Sequence, residues 1–150
     1  MHVSFNTICG DRGLVTWPDG GLRTNVTDLG RFFGAIIGGG QFQGTRILQE
    51  ETVKTMLTPQ FAQGQVMEVV EEDESQQQAI TWVYRTLSDG STVTGHSGGD
   101  PGVITHAYYF PGTGAGAILL VSTSSDSETL GLAVRDMIRA LLIRARNEQV

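Results

Sequence analysis

The residues best suited to chemistry lie together between Gly95 and Gly102, where the sequence is Gly-His-Ser-Gly-Gly-Asp-Pro-Gly. An imidazole exchanges protons near neutral pH, and a serine hydroxyl becomes a nucleophile when a base lies beside it. The glycines allow other atoms to approach the backbone closely, because they carry no side chain. The segment closes one predicted strand and turns toward the next, so it is a candidate ligand site. The alternative is a tight glycine-proline loop that carries a solvated histidine.

The sequence offers His96 and Ser97 no clear catalytic partner. The two residues are adjacent, so in a strand their side chains point to opposite faces and cannot form a pair of base and nucleophile. His106 lies in the middle of another predicted strand, which is typical of a packed histidine rather than a base. The serine-rich segment 122–127 has no partner that the sequence identifies, and we expect it to lead into the last helix.

The composition excludes several classes of protein. The chain has 150 residues and a net charge of −6, and its only lysine is Lys54. A nucleic-acid-binding protein needs clustered cations to displace counterions, so we expect no nucleic-acid partner. The single cysteine, Cys9, excludes an internal disulfide framework and a zinc-finger set, and the sequence indicates no metal or other cofactor. Because no apolar segment could span a bilayer and no secretory signal is present, we expect a cytoplasmic protein without a membrane partner.

The first half of the chain predicts two helices and a long loop. Apolar residues at helical spacing predict a first helix from its cap, Asn25, to the glycines at 38–40. A shorter helix is predicted from Glu50 to Leu57, and Pro59 stops it. Acidic residues and glutamines dominate 59–79, which we predict to be a long solvated loop.

The second half predicts antiparallel strands followed by a final helix. The final helix has a predicted buried stripe that consists of Leu130, Val134, Met137, Ile138, Leu141 and Ala145. The strands are expected at 80–87, 91–97, 103–110 and 115–122, with turns at Ser88-Asp89-Gly90 and Pro111–Gly114. This order of elements predicts one domain over residues 1–150 with an α+β fold, in which helices pack on an antiparallel sheet of three to five strands.

Several short motifs occur in an order that resembles one enzyme family. In chain order they are Pro18–Thr24, Val26–Phe32, Arg46–Leu48, Met56–Pro59, Gly95–Gly102, Phe110-Pro111 and the apolar strand and helix that follow. Their joint order and spacing are similar to the C-terminal part of the serine β-lactamase and penicillin-binding-protein-like hydrolases, on the side of the class C β-lactamases and esterases. The resemblance covers residues 17–146, and it depends on the combination because each motif alone is short.

The resemblance assigns roles to the glycine-rich segment. Complete members of this family carry a Ser-x-x-Lys nucleophile motif, a Tyr-x-Asn or Ser-x-Asn motif, and a Lys-Thr-Gly or His-x-Gly motif at a strand edge. The third motif matches His96-Ser97-Gly98. The match implies that His96 and Ser97 face a substrate and that the backbone N–H of Gly99 is an oxyanion donor. His96, Ser97, Gly98 and Gly99 are therefore the predicted ligand-binding residues.

The nucleophile motif of the family does not occur in this sequence. Ser-x-x-Lys requires a lysine, and the residue three before Lys54 is Glu51. The segment Ser4-Phe5-Asn6 matches the middle motif, but it lies close to the glycine-leucine segment, whereas family members have much of a helical subdomain between the two. We therefore expect Ser4 and Asn6 to lie in a short strand or turn within residues 2–8.

These observations lead to two hypotheses about function. The first is a β-lactamase-like fragment that is not catalytic by the family mechanism and that binds a small molecule or peptide at His96–Gly99, or acts as an oligomeric module. The second is an esterase- or amidase-like hydrolase that uses a serine outside the family motif or a site shared with a partner chain. Without the first half of the family fold, apolar helix faces and a strand edge would be exposed, so we expect a homodimer or a partner chain.

Overall fold

Three helices and seven strands follow one another in the residues that the computed structural model describes, which are 22–60, 76–123 and 128–148. In chain order they are α1 (Val26–Ile37), β1 (Gln41–Phe42), β2 (Thr45–Arg46), α2 (Glu50–Leu57), β3 (Gln76–Gln78), β4 (Val83–Thr86), β5 (Thr92–Asp100), β6 (Val103–Tyr109), β7 (Gly116–Ser122) and α3 (Glu128–Asn147). Within this part of the chain, β3 to β7 form one antiparallel sheet of five strands, in which each strand pairs with its neighbour in the sequence. The predicted α+β fold is confirmed.

Helices α1 and α2 cover one face of the five-stranded sheet, which we call the α1 face. Phe33 of α1 and Val53 of α2 are buried in one cluster with Tyr109 of β6 and with Trp82, which immediately precedes β4. The ring centroids of Phe33 and Trp82 are 5.2 Å apart, and those of Trp82 and Tyr109 are 6.2 Å apart. Aromatic pairs at such distances attract each other beyond the effect of area burial, so these contacts hold α1 on the sheet.

Helix α3 covers the opposite face, which we call the α3 face. Its Ile138 and Leu142 are buried in a second cluster with Val93 and Tyr108 of the sheet. Because helices lie on both faces, two successive residues of β5 that point to opposite faces, Val93 and Thr94, are both buried.

The predicted stripe of α3 is wrong at two positions. Met137 is 52% exposed and Leu141 is 40% exposed, whereas Val134, Ile138 and Leu142 are buried. Residues four apart lie almost above one another on a helix, and each step of one residue rotates by about 100°. The residues before Ile138 and Leu142 therefore point to the flank of the helix and not to the sheet.

The two short helices begin and end where the sequence predicts. The side chain of Asn25 accepts a hydrogen bond of 3.0 Å from the backbone N–H of Asp28, which caps α1. After the helix, Gly40 adopts a φ of 91°, and a Cβ there would lie 2.2 Å from the carbonyl oxygen of Leu48. Only glycine fits this turn. Helix α2 occupies Glu50–Leu57, as predicted.

The prediction is wrong at the start of the five-stranded sheet. Gln76–Gln78, which the sequence places in the loop, form β3 and pair with β4. Glutamine has no strong preference for strands, so the backbone pairing and not the side chains specifies this edge strand. Strand β4 begins at Val83 and not at residue 80, because Ile80 and Thr81 form the turn between the two strands. Residues 61–75 of the predicted loop and the predicted strand at 2–8 lie outside the described residues.

Candidate functional site

The glycine-rich segment lies in a strand and not in a loop. Strand β5 extends to Asp100, beyond its predicted end at residue 97, and β6 begins at Val103. Only Pro101 and Gly102 form the turn, and Gly102 has a φ of 86° that favours glycine. The ladder between the two strands includes all the predicted ligand-binding residues from His96 to Gly99. These residues are therefore held in a regular extended backbone.

His96 and Ser97 point to opposite faces of the sheet, as the alternation of a strand requires. His96 pairs with Ala107 on the α1 face, and Ser97 pairs with His106 on the α3 face. His96 is exposed and Ser97 is half-buried. A ligand on one face can contact only one of these two side chains directly, so the strand edge is the place that both residues share.

One edge of β5 is open beside the predicted site. Strand β4 pairs only with the first half of β5, and its first residue, Val83, lies opposite Gly95. Before Val83 the chain turns away, and the N–H of Ala79 donates to the carbonyl oxygen of Trp82 across this turn. In the part of the chain that the structure describes, no strand lies beside His96–Asp100 on this side.

The backbone groups of Ser97 and Gly99 point toward this open edge. In an antiparallel sheet, successive residues of a strand bond alternately to the strand on one side and the strand on the other. The N–H of Leu87 donates to the carbonyl oxygen of Ser91 over 2.8 Å, which places residues 91, 93 and 95 on the side of β4. Residues 96, 98 and 100 therefore bond with β6, and residues 97 and 99 do not. The N–H of Gly99, the predicted oxyanion donor, is directed away from the ladder.

In the part of the chain that the structure describes, the surroundings of the open edge leave room for a ligand. The carbonyl oxygen of Ser97 accepts a hydrogen bond from Nδ1 of His96. On the α1 face, the hydroxyl of Thr105 donates to the carbonyl oxygen of Gly98 over 3.3 Å. A Cβ at Gly99 would meet no atom within 4 Å. The edge thus presents the N–H groups of Ser97 and Gly99 and the carbonyl oxygen of Gly99.

Gly95 has a packing role and not a binding role. A Cβ at this position would lie 1.9 Å from the carbonyl oxygen of Ala107 and 2.7 Å from both Cα and Cδ1 of Tyr108. Tyr108 pairs with Gly95, and the guanidinium carbon of Arg85 on β4 lies 5.5 Å from the centre of the Tyr108 ring. The missing side chain therefore lets the tyrosine ring lie across β5 and make a cation–π contact with the next strand.

On the α3 face the structure places Ser97 and His106 opposite each other, and the sequence analysis did not predict this pair. His106 lies opposite Ser97, and its ring centroid is 6.1 Å from that of Tyr108. Burial, and then the charge of Arg85, lower the pKa of His106 below its usual value of 6.5, so the ring is neutral at pH 7. The turn Pro101-Gly102 carries the signal that could have found this pair. A two-residue turn pairs residue 100 with residue 103, and counting back three on each strand pairs residue 97 with residue 106.

The remaining sequence candidates do not join the site. Lys54 is exposed on α2. Tyr84 donates its hydroxyl to the carbonyl oxygen of Leu57 over 2.7 Å, and burial raises the pKa of Tyr109 to about 12, so neither phenol is a base near neutral pH. The described residues contain no group of three or more side chains that could hold a metal ion. Ser4, Asn6 and Cys9 lie outside the described residues.

No family model and no curated protein matches this chain. Across residues 22–60, 76–123 and 128–148, no helix is long and apolar enough to cross a membrane. The resemblance to β-lactamase-like hydrolases therefore stays a prediction, and a function can be inferred only from the geometry of the site.

Proposed function

We propose that this chain is the sheet part of a β-lactamase-like serine hydrolase fold and that it binds an extended peptide or a small acyl compound at the open edge of β5. The observation that supports this proposal is the orientation of the Ser97 and Gly99 backbone, which leaves two N–H donors outside the ladder. Two carbonyl oxygens of an extended ligand would accept these hydrogen bonds, because the two donors lie about 7 Å apart along the strand. Binding of this kind adds a strand to a sheet, so backbone contacts supply affinity and side-chain contacts supply selectivity.

The expected affinity follows from the number of available groups. The edge offers two donors and the carbonyl oxygen of Gly99, since the carbonyl oxygen of Ser97 already accepts a bond from His96. Three hydrogen bonds, each contributing about 0.5–1.5 kcal/mol, give a total of roughly 1.5–4.5 kcal/mol. A dissociation constant of about 1 mM corresponds to about 4 kcal/mol. We therefore expect weak binding, in the millimolar range, unless side chains of the ligand add contacts.

The proposal does not include the covalent step of the family. Lys54 is the only lysine, and Glu51 stands where Ser-x-x-Lys requires serine. A serine needs a nearby base to become nucleophilic, and the family supplies that base with the lysine of this motif. We therefore infer that a β-lactam or a peptide binds at β5 without acylating the protein through the family mechanism.

We further propose that a second copy of the chain pairs with β7. This strand is the last in the described sheet, and none of its residues is charged or proline. The N–H of Phe110 donates to the carbonyl oxygen of Ala115, so by alternation the backbone groups of four residues point outward: Gly116, Ile118, Leu120 and Ser122. An antiparallel pair about a two-fold axis at Leu119 would match all four residues without opposing like charges. Unprotected edges of this kind favour pairing with another chain.

A titration followed by NMR amide signals tests binding at β5. The probes are N-acetyl-trialanine amide and, separately, a penicillin. We expect the amide signals of Ser97 and Gly99 to shift most, with a dissociation constant in the millimolar range. The variant Gly99→Pro removes one donor without breaking a bond to β6, so it should weaken binding by roughly 2- to 12-fold. Gly99→Ala keeps the donor in open space and is the matched control, which should bind like the original protein.

Two results would contradict the proposal. One is a set of shifted signals that maps away from residues 96–100, or equal responses of Gly99→Pro and Gly99→Ala. The other is a stoichiometric increase in intact mass after incubation with the penicillin, because that increase requires a covalent bond to the protein.

A further inference from the structure

The α3 face of β5 and β6 brings a serine and a histidine together at the sheet. Ser97 and His106 are partners in the antiparallel register. Backbone hydrogen bonds join the two neighbouring pairs of the ladder, which are Gly98 with Thr105 and His96 with Ala107. Ser97 and His106 are therefore a non-hydrogen-bonded pair, in which the strands come closest and the Cβ atoms lie about 4.5–5.5 Å apart. At this spacing a serine hydroxyl and an imidazole on the same face can reach each other.

The surroundings of this pair leave both side chains accessible to a small molecule. Ser97 and His106 are both half-buried, so small molecules can approach them while part of the surrounding water is excluded. No hydrogen bond joins the two side chains in the structure, and sites without a bound substrate commonly have such loose geometry. The N–H groups of Ser97 and Gly99 on the adjacent open edge are donors beside the serine that do not belong to the ladder with β6.

We propose that Ser97 is a nucleophile, activated by His106, that cleaves small esters with good leaving groups. This inference does not depend on peptide binding at β5, and it uses no residue of the family nucleophile motif. Ester cleavage would add an activity to the binding function. It fits a reactive ester and not an amide, because the charge that acts on His106 is that of Arg85 and not of a carboxylate that would orient the imidazole and stabilise its charge.

The reaction needs only the ester, the side chains of Ser97 and His106, and water. Oγ of Ser97 forms a bond to the ester carbonyl carbon, and its proton moves to a ring nitrogen of His106. The bond from that carbon to the alcohol oxygen then breaks, and the leaving oxygen takes the proton from His106. Water attacks the acyl-serine, gives one proton to His106, and the carboxylic acid leaves as Oγ of Ser97 recovers that proton. The backbone N–H of Ser97, at the open edge beside the attacking Oγ, would stabilise the negative charge on the carbonyl oxygen, whereas the N–H of Gly99 lies about 7 Å farther along the strand.

The test is covalent labelling with a fluorophosphonate, combined with turnover of 4-nitrophenyl acetate. We expect one adduct per chain on Ser97 and no adduct on Ser97→Ala. His106→Gln should slow both labelling and turnover by about 100-fold or more, the size of a general-base contribution. Ser88→Ala removes an exposed serine in the turn between β4 and β5 and is the matched control, which should react like the original protein.

Near-UV circular dichroism of each variant, which reports on the packing of the buried Trp82, separates loss of reactivity from loss of folding. In a folded sample, any of three results overturns the proposal: no adduct, an adduct on another serine, or an unchanged labelling rate in His106→Gln. If Ser97→Ala does not fold, Ser97→Thr provides the second variant. It keeps a hydroxyl and favours a strand, so it should fold and label more slowly at the same residue.

Discussion

Alanine substitutions along β5 provide a sharp test of how the glycine-rich segment is packed. A Cβ at Gly95 would lie 1.9 Å from the carbonyl oxygen of Ala107 and 2.7 Å from Cα of Tyr108. Both are backbone atoms of the paired strand, so the clash can be relieved only by separating β5 from β6. Overpacking costs about 1–3 kcal/mol, and displacing the Tyr108 ring from Arg85 loses about 0.5–2 kcal/mol more. We expect Gly95→Ala to lower the free energy of unfolding by about 3 kcal/mol.

The same strand supplies the controls. A Cβ at Gly98 would lie 2.9 Å from Oγ1 of Thr105, a side-chain atom that can rotate, so we expect a loss of about 1 kcal/mol. A Cβ at Gly99 meets nothing within 4 Å, and that variant should stay within about 0.5 kcal/mol of the original protein.

Urea unfolding followed by tryptophan fluorescence measures these differences. With a slope of about 1.5 kcal/mol per molar urea, a loss of 3 kcal/mol moves the midpoint by about 2 M. The order of stability should be Gly99→Ala, then Gly98→Ala, then Gly95→Ala. Equal midpoints for Gly95→Ala and Gly99→Ala would refute the argument that packing against Tyr108 explains Gly95.

Three further predictions concern the two faces and the outer edge of the sheet. The hydroxyl of Tyr108 is buried without a hydrogen-bond partner among the described residues. In urea unfolding, Tyr108→Phe should therefore raise the free energy of unfolding by about 1 kcal/mol, and a decrease of about 1 kcal/mol would contradict this reasoning. Because the pKa of His106 is lowered in the folded protein, the unfolded chain binds a proton more readily, and stability should fall as the pH decreases below about 6.5. In thermal unfolding between pH 7 and pH 5, His106→Gln should reduce this dependence of stability on pH. An unchanged dependence in the variant would contradict the assignment to His106. In sedimentation, the original protein should be a dimer, and Leu120→Lys should be a monomer because it places a charge on β7. The control Leu132→Lys, on the exposed side of α3, should stay a dimer. A monomeric original protein at high micromolar concentration would exclude pairing through β7.

The sequence was sufficient to predict the elements that local chemistry specifies. The cap at Asn25 and the stop at Pro59 bound the two short helices, because both act within a few residues. It was not sufficient where tertiary pairing decides. Gln76–Gln78 have no strand signature and become a strand only because β4 lies beside them. On α3, apolar residues outnumber the positions that the sheet can cover, so the sequence could not show that Leu142 and not Leu141 is buried.

The sequence indicates the glycine-rich segment as a candidate site but does not show the conformation of its backbone. The glycines at 95–99 indicated close backbone approach, and the structure gives that feature two separate causes. Gly95 accommodates the Tyr108 ring, and Gly99 lies in open space at the strand edge. The open edge arises because β4 begins at Val83, a boundary that depends on the turn at residues 79–82. No local pattern in β5 itself contains that information.

Amide hydrogen exchange along β5, measured residue by residue by NMR, tests most directly whether the Ser97 and Gly99 backbone is available to a ligand. We predict an alternating pattern, in which the N–H groups of His96 and Gly98 are protected by their bonds to β6 and those of Ser97 and Gly99 exchange close to the unprotected rate. Addition of N-acetyl-trialanine amide should slow exchange at Ser97 and Gly99 alone. Equal protection of all four amides in the free protein would show that the edge is already paired, and it would contradict the proposed site.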